Sequence, residues 1–397
     1  MHAHLSGSIR DSSILELLRE EARREWKKKQ LQANPSYDGL DDAGFDFERE
    51  CADELKVFDM SRAPSSSRPS QSHRQRTLTE CFAIFRILHR LIANLDILRR
   101  VTRDVIQDFV DENVAYLELR TTPRKLVDRS QAPTVIVEST KREYIQAVID
   151  TIRACQQTIR TPNGHPIHVR LLLSVDRSES MEEAEATLKL AQEFSAETDP
   201  IVVGMDFSGN PNINTFRTFR SIFERAREFG LESTIHIGEK WQDGDDLDCA
   251  LFEFKPKRIG HVVCLEERHI QHLIEKPVPI EICPTSNLMT KIVDSLKSHP
   301  FGRWRSEAKE RKYQFIKNNT AIPPNYPMVI CTDDSGVFDI TLTSELYNMS
   351  QTFELDAHEL FHLEAQAVEY GFMSEKTKAE VRKIFSLFHD KDEVIRG

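Results

Sequence analysis

The chain has 397 residues, a formal net charge of −11 and a sequence pI near 5.8. This acidic balance argues against nucleic acid as the main partner, because binding a phosphate backbone calls for a basic face. No apolar run approaches the length of a membrane span, and the N-terminus is not a secretory signal. Seven cysteines at no repeating spacing indicate a reducing compartment rather than a disulfide framework. We therefore expect a soluble, cytoplasmic protein that acts on a small molecule.

Residues 20–76 differ in composition from the rest of the chain. The segment runs from the charged KKKQ through NPSYDGLDDAG to the Ser/Pro/Arg-rich SRAPSSSRPSQSHRQR. Such composition predicts a flexible, disordered insertion, with a short helix around Phe47 to Val57. The insertion could act as a lid or a partner-docking loop, but a solvated linker without a catalytic role is the simpler interpretation.

Strand-like and helix-like segments alternate along the remainder of the sequence. Short runs rich in β-branched residues predict strands at Val114–Leu119, His168–Val175, Ile201–Phe207, Ser233–Ile237, Arg258–Val263, Pro279–Cys283 and Met328–Thr332. Apolar residues spaced three and four apart predict helices at Leu78–Leu91, Leu98–Val110, Tyr144–Ile159, Met181–Phe194 and Asn214–Phe229. Alternation implies parallel pairing, and near-continuous apolar strands imply burial on both faces. We predict one α/β domain over residues 1–397, a TIM (β/α)8 barrel.

A barrel of this kind needs an eighth strand, and its natural place is immediately before His2. Because the sequence begins at Met1, we expect the first strand to be truncated. His2 and His4 would then lie on a terminus whose ordering is opposed by entropy.

Residues typical of metal ligands follow several of the predicted strands. His2 and His4 are two residues apart, so an extended backbone directs both imidazoles to one face. His236 lies in an apolar strand, and Asp333 follows the last strand. Barrel active sites lie at the C-terminal ends of the strands, so we expect these four side chains to converge. Three imidazoles and one carboxylate suit one zinc ion with a position left for water. Taken singly, each could be a hydrogen-bonded core histidine or a helix-capping aspartate.

Glu239, His261 and Asp334 lie beside these candidate ligands. Bound zinc lowers the pKa of water and so supplies a nucleophile for hydrolysis. Glu239 follows the turn at Gly238 and can hand a proton to a substrate ring nitrogen, while His261 and Asp334 can hold or deprotonate the water. The alternatives are a surface glutamate, a strand-end histidine and a solvated turn aspartate.

Five motifs carry a family resemblance in their order and separation. HAHLSGS, HIGE, RIGH, CPTSN and CTDD resemble the adenosine deaminase family of zinc aminohydrolases. CFAIFRILHRL, YLELRTTPRK, LLLSVDR and MDFSGNP resemble the adenosine deaminase-like branch, the N6-methyl-AMP deaminases, more than the free-nucleoside enzymes. The resemblance implies a TIM barrel of the metal-dependent hydrolase type. It also implies zinc-dependent hydrolysis of N6-methyl-AMP, a purine nucleotide, to IMP and methylamine.

The resemblance also assigns roles to individual residues. It implies one zinc ion per chain, bound by His2, His4, His236 and Asp333. It makes Glu239 the proton donor to purine N1, His261 the water-orienting base, and Asp334 a contact to the attacking hydroxyl and the purine.

Further residues are implied to bind the substrate. Gly209 matches the family glycine whose backbone approaches the purine, which requires the absence of a Cβ. The implied nucleotide pocket also includes His4, Ser6, His89 and Asp176. The run Thr121, Thr122, Pro123 and Arg124 offers hydroxyls and a guanidinium suited to a phosphate. An ordinary Pro-containing turn with a solvated arginine is the alternative for this run.

Two departures from the family pattern affect substrate positioning. Ser6 stands where the branch usually has asparagine, and Val262 stands where many relatives have a second glycine. Two other functions stay open: adenosine deaminase activity on free adenosine, and a pseudoenzyme or binding protein that has lost the first strand and zinc. Without long heptads in the sequence, we expect a monomer.

Overall fold

The computed structural model describes residues 1–34, 37, 42, 44–58, 78–132, 135–307 and 326–396. Its centre is an eight-stranded parallel sheet in the order β1-β2-β5-β6-β7-β8-β9-β10. The strands are β1 Ala3–His4, β2 Tyr116–Thr121, β5 His168–Asp176, β6 Val202–Ser208, β7 Glu232–Ile237, β8 Arg258–His261, β9 Ile280–Ile282 and β10 Met328–Ile330. A parallel bridge between Ala3 and Asp333 joins the two outer strands, so the sheet curls into a barrel. The predicted TIM-barrel class is confirmed.

Helices connect successive strands and cover the outside of the sheet. They are α1 Asp11–Ala33, α2 Phe47–Glu50, α3 Ala52–Phe58, α4 Leu78–Leu91, α5 Leu95–Asp111, α6 Lys141–Thr158, α7 Met181–Ser195, α8 Phe216–Phe229, α9 Gly244–Asp248, α10 Glu267–Glu275, α11 Pro284–Met289, α12 covering 301–307, α13 Ser335–Phe338, α14 Leu342–Phe353, α15 Ala357–Tyr370 and α16 Glu375–Arg396. A π-helix at Cys249–Phe254, a 3₁₀-helix at Leu296–Ser298 and an antiparallel hairpin of β3 Leu126–Ala132 and β4 Val135–Ser139 complete the elements.

Local sequence signals explain where several helices begin and what they cover. Thr140 and Ser180 form capping boxes with the glutamates three residues later, which satisfies the first backbone N–H groups of α6 and α7. Helix α8 places Phe216, Phe219 and Phe223 against Phe207 of β6, with ring centroids 5.4 to 5.9 Å away. Over the described residues, none of the helices combines the length and the apolar character needed to cross a bilayer.

The first strand is present but short. Ala3 and His4 pair with Leu119 and Arg120 of β2. On the other side, the His4 N–H donates to the Asp333 carbonyl at 3.2 Å, and the Asp333 N–H donates to the His2 carbonyl at 2.9 Å. The strand has only two residues, in agreement with the predicted truncation. Backbone hydrogen bonds to both neighbours hold it in place, so the expectation of a fraying terminus was wrong.

The segment predicted as an insertion is structured in its first part. Residues 20–33 belong to α1, in which Trp26 is 6% exposed and packs against Phe45 with ring centroids 5.9 Å apart. The boundary at residue 20 is therefore corrected, because α1 buries an apolar stripe beneath its charged face. The expected helix around Phe47 to Val57 is observed as α2 and α3. Residues 35, 36, 38–41, 43 and 59–76 of the predicted insertion lie outside the described residues.

Candidate active site

Five polar side chains meet at the C-terminal ends of β1, β7, β8 and β10. Ligand atoms of His2, His236, His261 and Asp333 all lie within 4.8 Å of one another, and all four residues are buried. His4 is adjacent: its Nε2 is 3.0 Å from His236 Nε2 and 3.4 Å from Asp333 Oδ1. The four residues predicted as metal ligands therefore come together, and His261 lies beside them.

Carboxylates fix the orientation of two of these imidazoles. Nδ1 of His2 is 2.7 Å from Glu281 Oε2, and Nδ1 of His236 is 3.1 Å from Asp206 Oδ1. An Nδ1–H that faces a carboxylate leaves the Nε2 lone pair free to bind a cation. Nε2 of His2 is buried and lies 3.2 Å from Asp333 Oδ1, another candidate ligand atom. Carboxylate-oriented histidines are typical of metal sites, so this N/O donor set fits a divalent metal ion.

A network of buried charges underlies the candidate ligands, and the sequence analysis missed it. Arg120 contacts Asp206 at 2.9 Å and Glu281 at 3.1 Å, while Arg258 contacts Glu281 at 2.7 Å and also Glu118. All five side chains are fully buried. The sequence contained a signal for this network, because charged residues interrupt otherwise apolar strands in LELR, MDF and IEI.

The arginines keep the orienting carboxylates ionised. Burial opposes ionisation of Glu281, but the charges of Arg120 and Arg258 hold the pKa of this carboxyl well below its usual range. Burial also opposes ionisation of Asp206, whose pKa is nevertheless lowered by His236 and Arg120. Both carboxylates therefore remain acceptors for the imidazole N–H groups.

Asp333 and Asp334 are adjacent in sequence but differ in electrostatic environment. Against the effect of burial, the imidazoles, led by His2, hold the pKa of Asp333 well below its usual range. Ser286 Oγ also donates to Asp333 Oδ2 at 2.7 Å. Burial and the neighbouring Asp333 charge raise the pKa of Asp334. A Cβ on Gly7 would lie 1.7 Å from Asp334 Oδ1, so position 7 must be glycine, a requirement not predicted from the sequence.

The predicted catalytic groups face the candidate metal site with open hydrogen-bonding positions. His261 Nε2 is 3.7 Å from Glu239 Oε1 and 3.9 Å from Asp333 Oδ2. Over the described residues, Glu239 Oε2 and Asp334 Oδ1 are buried without a partner. Burial lowers the pKa of His261 to about 4, so this imidazole is neutral near pH 7. The site can therefore offer both a donor and acceptors to a bound substrate.

The turn after β8 contains backbone strain. His261 has a φ of 64° and Val262 a φ of 54°, although neither is glycine. A β-branched residue in this region is unfavourable, by about 1–3 kcal/mol. The Val262 N–H donates to the Ile237 carbonyl at 3.0 Å, and its side chain is buried, which holds the turn in place. Val262, which stands where many relatives have a second glycine, therefore adopts a left-handed backbone conformation at a cost in strain.

The predicted substrate-binding residues lie at the same end of the barrel. Thr121 ends β2, and its hydroxyl lies 2.8 Å from that of Tyr144. Thr122, Pro123 and Arg124 follow, and Ser6 lies in the half-buried turn after β1.

Asp176 ends β5 and is directly next to Gly209, which follows β6. Gly209 has a φ of 99°, and a Cβ there would lie 2.5 Å from Asp176 Oδ2. This close approach requires glycine at position 209.

Arg124 and His89 form a second polar group. The Arg124 guanidinium lies 5.7 Å from the ring centroid of Tyr144, and its Nη2 is buried without a partner in the described part of the chain. His89 projects from α4, and its side chain is partly accessible to solvent. Desolvation by the surrounding protein, and to a smaller extent the positive charge of Arg124, lowers the pKa of this imidazole to about 3. An unpaired guanidinium in this position is suited to an anion.

Comparisons with known proteins identify the family of this chain. The adenosine deaminase family model matches residues 62–386. An N6-methyl-AMP deaminase from Xenopus laevis is 34% identical over 324 residues, which cover 81% of this chain and 84% of that protein. The crystal structure of the Arabidopsis N6-mAMP deaminase shares 33% identity at a TM-score of 0.72, covering 97% of this chain and 96% of that chain. An Arabidopsis structure complexed with IMP has 31% identity and a TM-score of 0.71, over 97% and 94% of the two chains. The chain therefore belongs to the adenosine deaminase family.

Proposed function

We propose that the protein hydrolyses N6-methyl-AMP to IMP and methylamine, with one zinc ion bound by His2, His4, His236 and Asp333. The observation that carries this proposal is the convergence of the buried His2, His236 and Asp333, with the half-buried His4 3.0 Å from His236 and 3.4 Å from Asp333. The substrate is supported by relatives named N6-methyl-AMP deaminases and by the IMP-bound Arabidopsis structure.

The reaction exchanges the N6 substituent of the purine for the oxygen of water. A zinc ion at this site would supply Lewis-acid activation of the attacking water. Glu239 donates a proton to N1, which makes C6 more electrophilic, and water adds to C6. The C6–N6 bond then breaks, and methylamine leaves with a proton taken from the added water. Atoms balance, since N6-methyl-AMP and one water give IMP and one methylamine.

Asp334 is suited to receive a proton or hydrogen bond from the attacking water. Its Oδ1 is buried without a partner over the described residues, and Asp333 lies directly beside it. A cation at the site would favour the ionised, acceptor form of Asp334. His261 orients the water from the side of β8.

The location and oligomeric state are also proposals. Seven buried free cysteines support a reducing, cytoplasmic compartment. A monomer is supported by the absence of long heptads in the sequence. The presence of β1 argues against the pseudoenzyme alternative, which assumed that the first strand had been lost.

A substrate panel on metal-analysed protein tests the proposal. Adenosine, AMP, N6-methyladenosine and N6-methyl-AMP would be compared at equal concentration, with products identified by chromatography and zinc quantified in the same sample. We expect about one zinc per chain, the highest kcat/KM for N6-methyl-AMP, and loss of activity on chelation. Turnover of adenosine above the two nucleotides would support the free-nucleoside alternative instead, and activity unaffected by full chelation would contradict the zinc assignment.

Replacing Arg124 with alanine tests phosphate recognition. A charge-assisted hydrogen bond contributes about 1.5–3 kcal/mol, so kcat/KM for N6-methyl-AMP should fall roughly 10- to 100-fold. Activity on N6-methyladenosine should change little, because it lacks the phosphate. The matched control is Lys125→Ala, which removes an adjacent exposed positive charge. An unchanged KM for the monophosphate in Arg124→Ala would show that this residue does not bind the phosphate.

A further inference from the structure

A chain of three hydrogen bonds lies behind His261, on the side away from the candidate metal site. The backbone N–H of Phe301 donates to His299 Nδ1 at 3.1 Å. His299 Nε2 lies 3.0 Å from Asn287 Oδ1, and Asn287 Nδ2 lies 3.1 Å from His261 Nδ1. All four residues are buried, with Asn287 fully inaccessible to solvent. The series therefore exchanges no hydrogen bonds with bulk water.

The direction of every bond follows from the first one. A backbone N–H can only donate, so His299 Nδ1 must accept, and the proton of the neutral imidazole is then on Nε2. That Nε2–H must meet an acceptor, which fixes the amide oxygen of Asn287 towards His299. The amide NH₂ of Asn287 therefore faces His261, whose Nδ1 must accept and whose proton is then on Nε2.

We infer that His299 and Asn287 are positioning residues that hold His261 in the Nε2–H tautomer, so that it presents a hydrogen-bond donor to the attacking water. The inference rests on the proposed function for the identity of that water. It deepens the role of His261: in the resting enzyme this imidazole cannot take a proton at Nε2, and proton acceptance falls to the carboxylates.

The arrangement is the reverse of that at the candidate ligands. Glu281 accepts a hydrogen bond from Nδ1 of His2, and Asp206 Oδ1 lies 3.1 Å from Nδ1 of His236, so carboxylates face Nδ1 of both imidazoles. At His261, by contrast, Nδ1 faces the amide NH₂ group of Asn287, which is a hydrogen-bond donor. Nε2 of His261 is directed towards carboxylate oxygens, Glu239 Oε1 at 3.7 Å and Asp333 Oδ2 at 3.9 Å, as expected for an N–H group. A protonated Nε2 offers no lone pair, which separates His261 from the metal ligands despite its proximity.

Direct observation of the proton is the first part of the test. The holoenzyme would be labelled with ¹⁵N at the histidine ring nitrogens, and long-range ¹H–¹⁵N correlation spectra would assign the tautomer of His261. Its resonances are identified by their loss in His261→Gln. We expect the proton on Nε2; a proton on Nδ1 of wild-type His261 would overturn the inference. This measurement needs no substrate, so its result is independent of whether N6-methyl-AMP is the substrate.

Variants of the two positioning residues provide the second part. In Asn287→Asp, a carboxylate can accept from both imidazoles, which moves the His261 proton to Nδ1. We expect kcat to fall roughly 10²- to 10⁴-fold, with KM and zinc content nearly unchanged. If Asn287→Asp shows the Nδ1–H tautomer yet keeps wild-type kcat, the inference is wrong.

Two substitutions at His299 distinguish a loss of positioning from a failure to fold. The amide of His299→Gln can still donate to Asn287 Oδ1, whereas His299→Leu cannot. We expect His299→Gln to retain kcat within about tenfold of wild type and His299→Leu to lose more, because orientation of a catalytic group contributes on this scale. Equal losses in the two variants, at matched thermal stability, would indicate a packing role only and would contradict the inference.

Discussion

Replacing Glu239 with glutamine is expected to lower kcat for N6-methyl-AMP by about 10²- to 10⁴-fold, the usual contribution of a general acid. Glutamine keeps the shape of the side chain and can still hydrogen-bond to N1, but it has no proton to transfer. Glu239 is outside the group of candidate ligands, and its Oε1 is 3.7 Å from His261. Zinc content should therefore stay at the wild-type level.

Steady-state kinetics and metal analysis on the same preparation measure this effect. Glu228→Gln, at an exposed position near the end of α8, is the matched control and should behave as wild type. Activity within tenfold of wild type in Glu239→Gln would remove this residue from the proton-transfer role. Loss of zinc in that variant would instead make Glu239 part of the metal site.

Replacing Glu281 with glutamine is expected to weaken metal binding about 10- to 100-fold and to destabilise the fold by about 3–5 kcal/mol. Glu281 accepts from His2 Nδ1 at 2.7 Å and pairs with Arg120 and Arg258. Glutamine loses the negative charge and turns an NH₂ group towards one of these donors. The imidazole of His2 then loses the bond that fixes its tautomer. Competition with a chelator and urea unfolding measure the two effects separately.

Glu118→Gln separates the cost to the fold from the cost to the metal site. Glu118 also pairs with Arg258. It accepts hydrogen bonds from the Tyr116 hydroxyl and the Phe372 backbone N–H, and neither residue is a proposed metal ligand. We expect this control to lose stability while retaining wild-type zinc affinity. Equal loss of zinc affinity in both variants would show that Glu281 acts only through general destabilisation.

The sequence predicted the barrel and the convergence of the proposed metal ligands because both have local signatures. Apolar runs followed by polar turns marked the long strands, and ligand residues followed those runs directly. The pairing of strand β1 escaped prediction, since two residues cannot display a periodicity and the pairing partners of Ala3 are more than a hundred residues away. Helix α1 was partly missed because its charged residues dominate the composition while Trp26 lies on its buried face.

Residues that act through other residues were harder to predict. Asp206 and Glu281 were included in strands interpreted as apolar, and their function depends on the imidazoles they meet in space. His299 lies twelve positions from Asn287, and no known spacing rule links such a pair. Charged residues within buried strands are the signal that could have identified the network in advance.

The short strand β1 has a consequence for how the barrel depends on its ion. The segment from His2 to His4 hydrogen-bonds to β2 on one side and to Asp333 on the other, so the barrel closes at this segment. Three of the four proposed zinc ligands, His2, His4 and Asp333, lie at this closure. Any ion held there favours the closed form by mass action, and loss of the ion weakens closure at the same place. Occupancy of the metal site and integrity of the barrel are thus one coupled equilibrium.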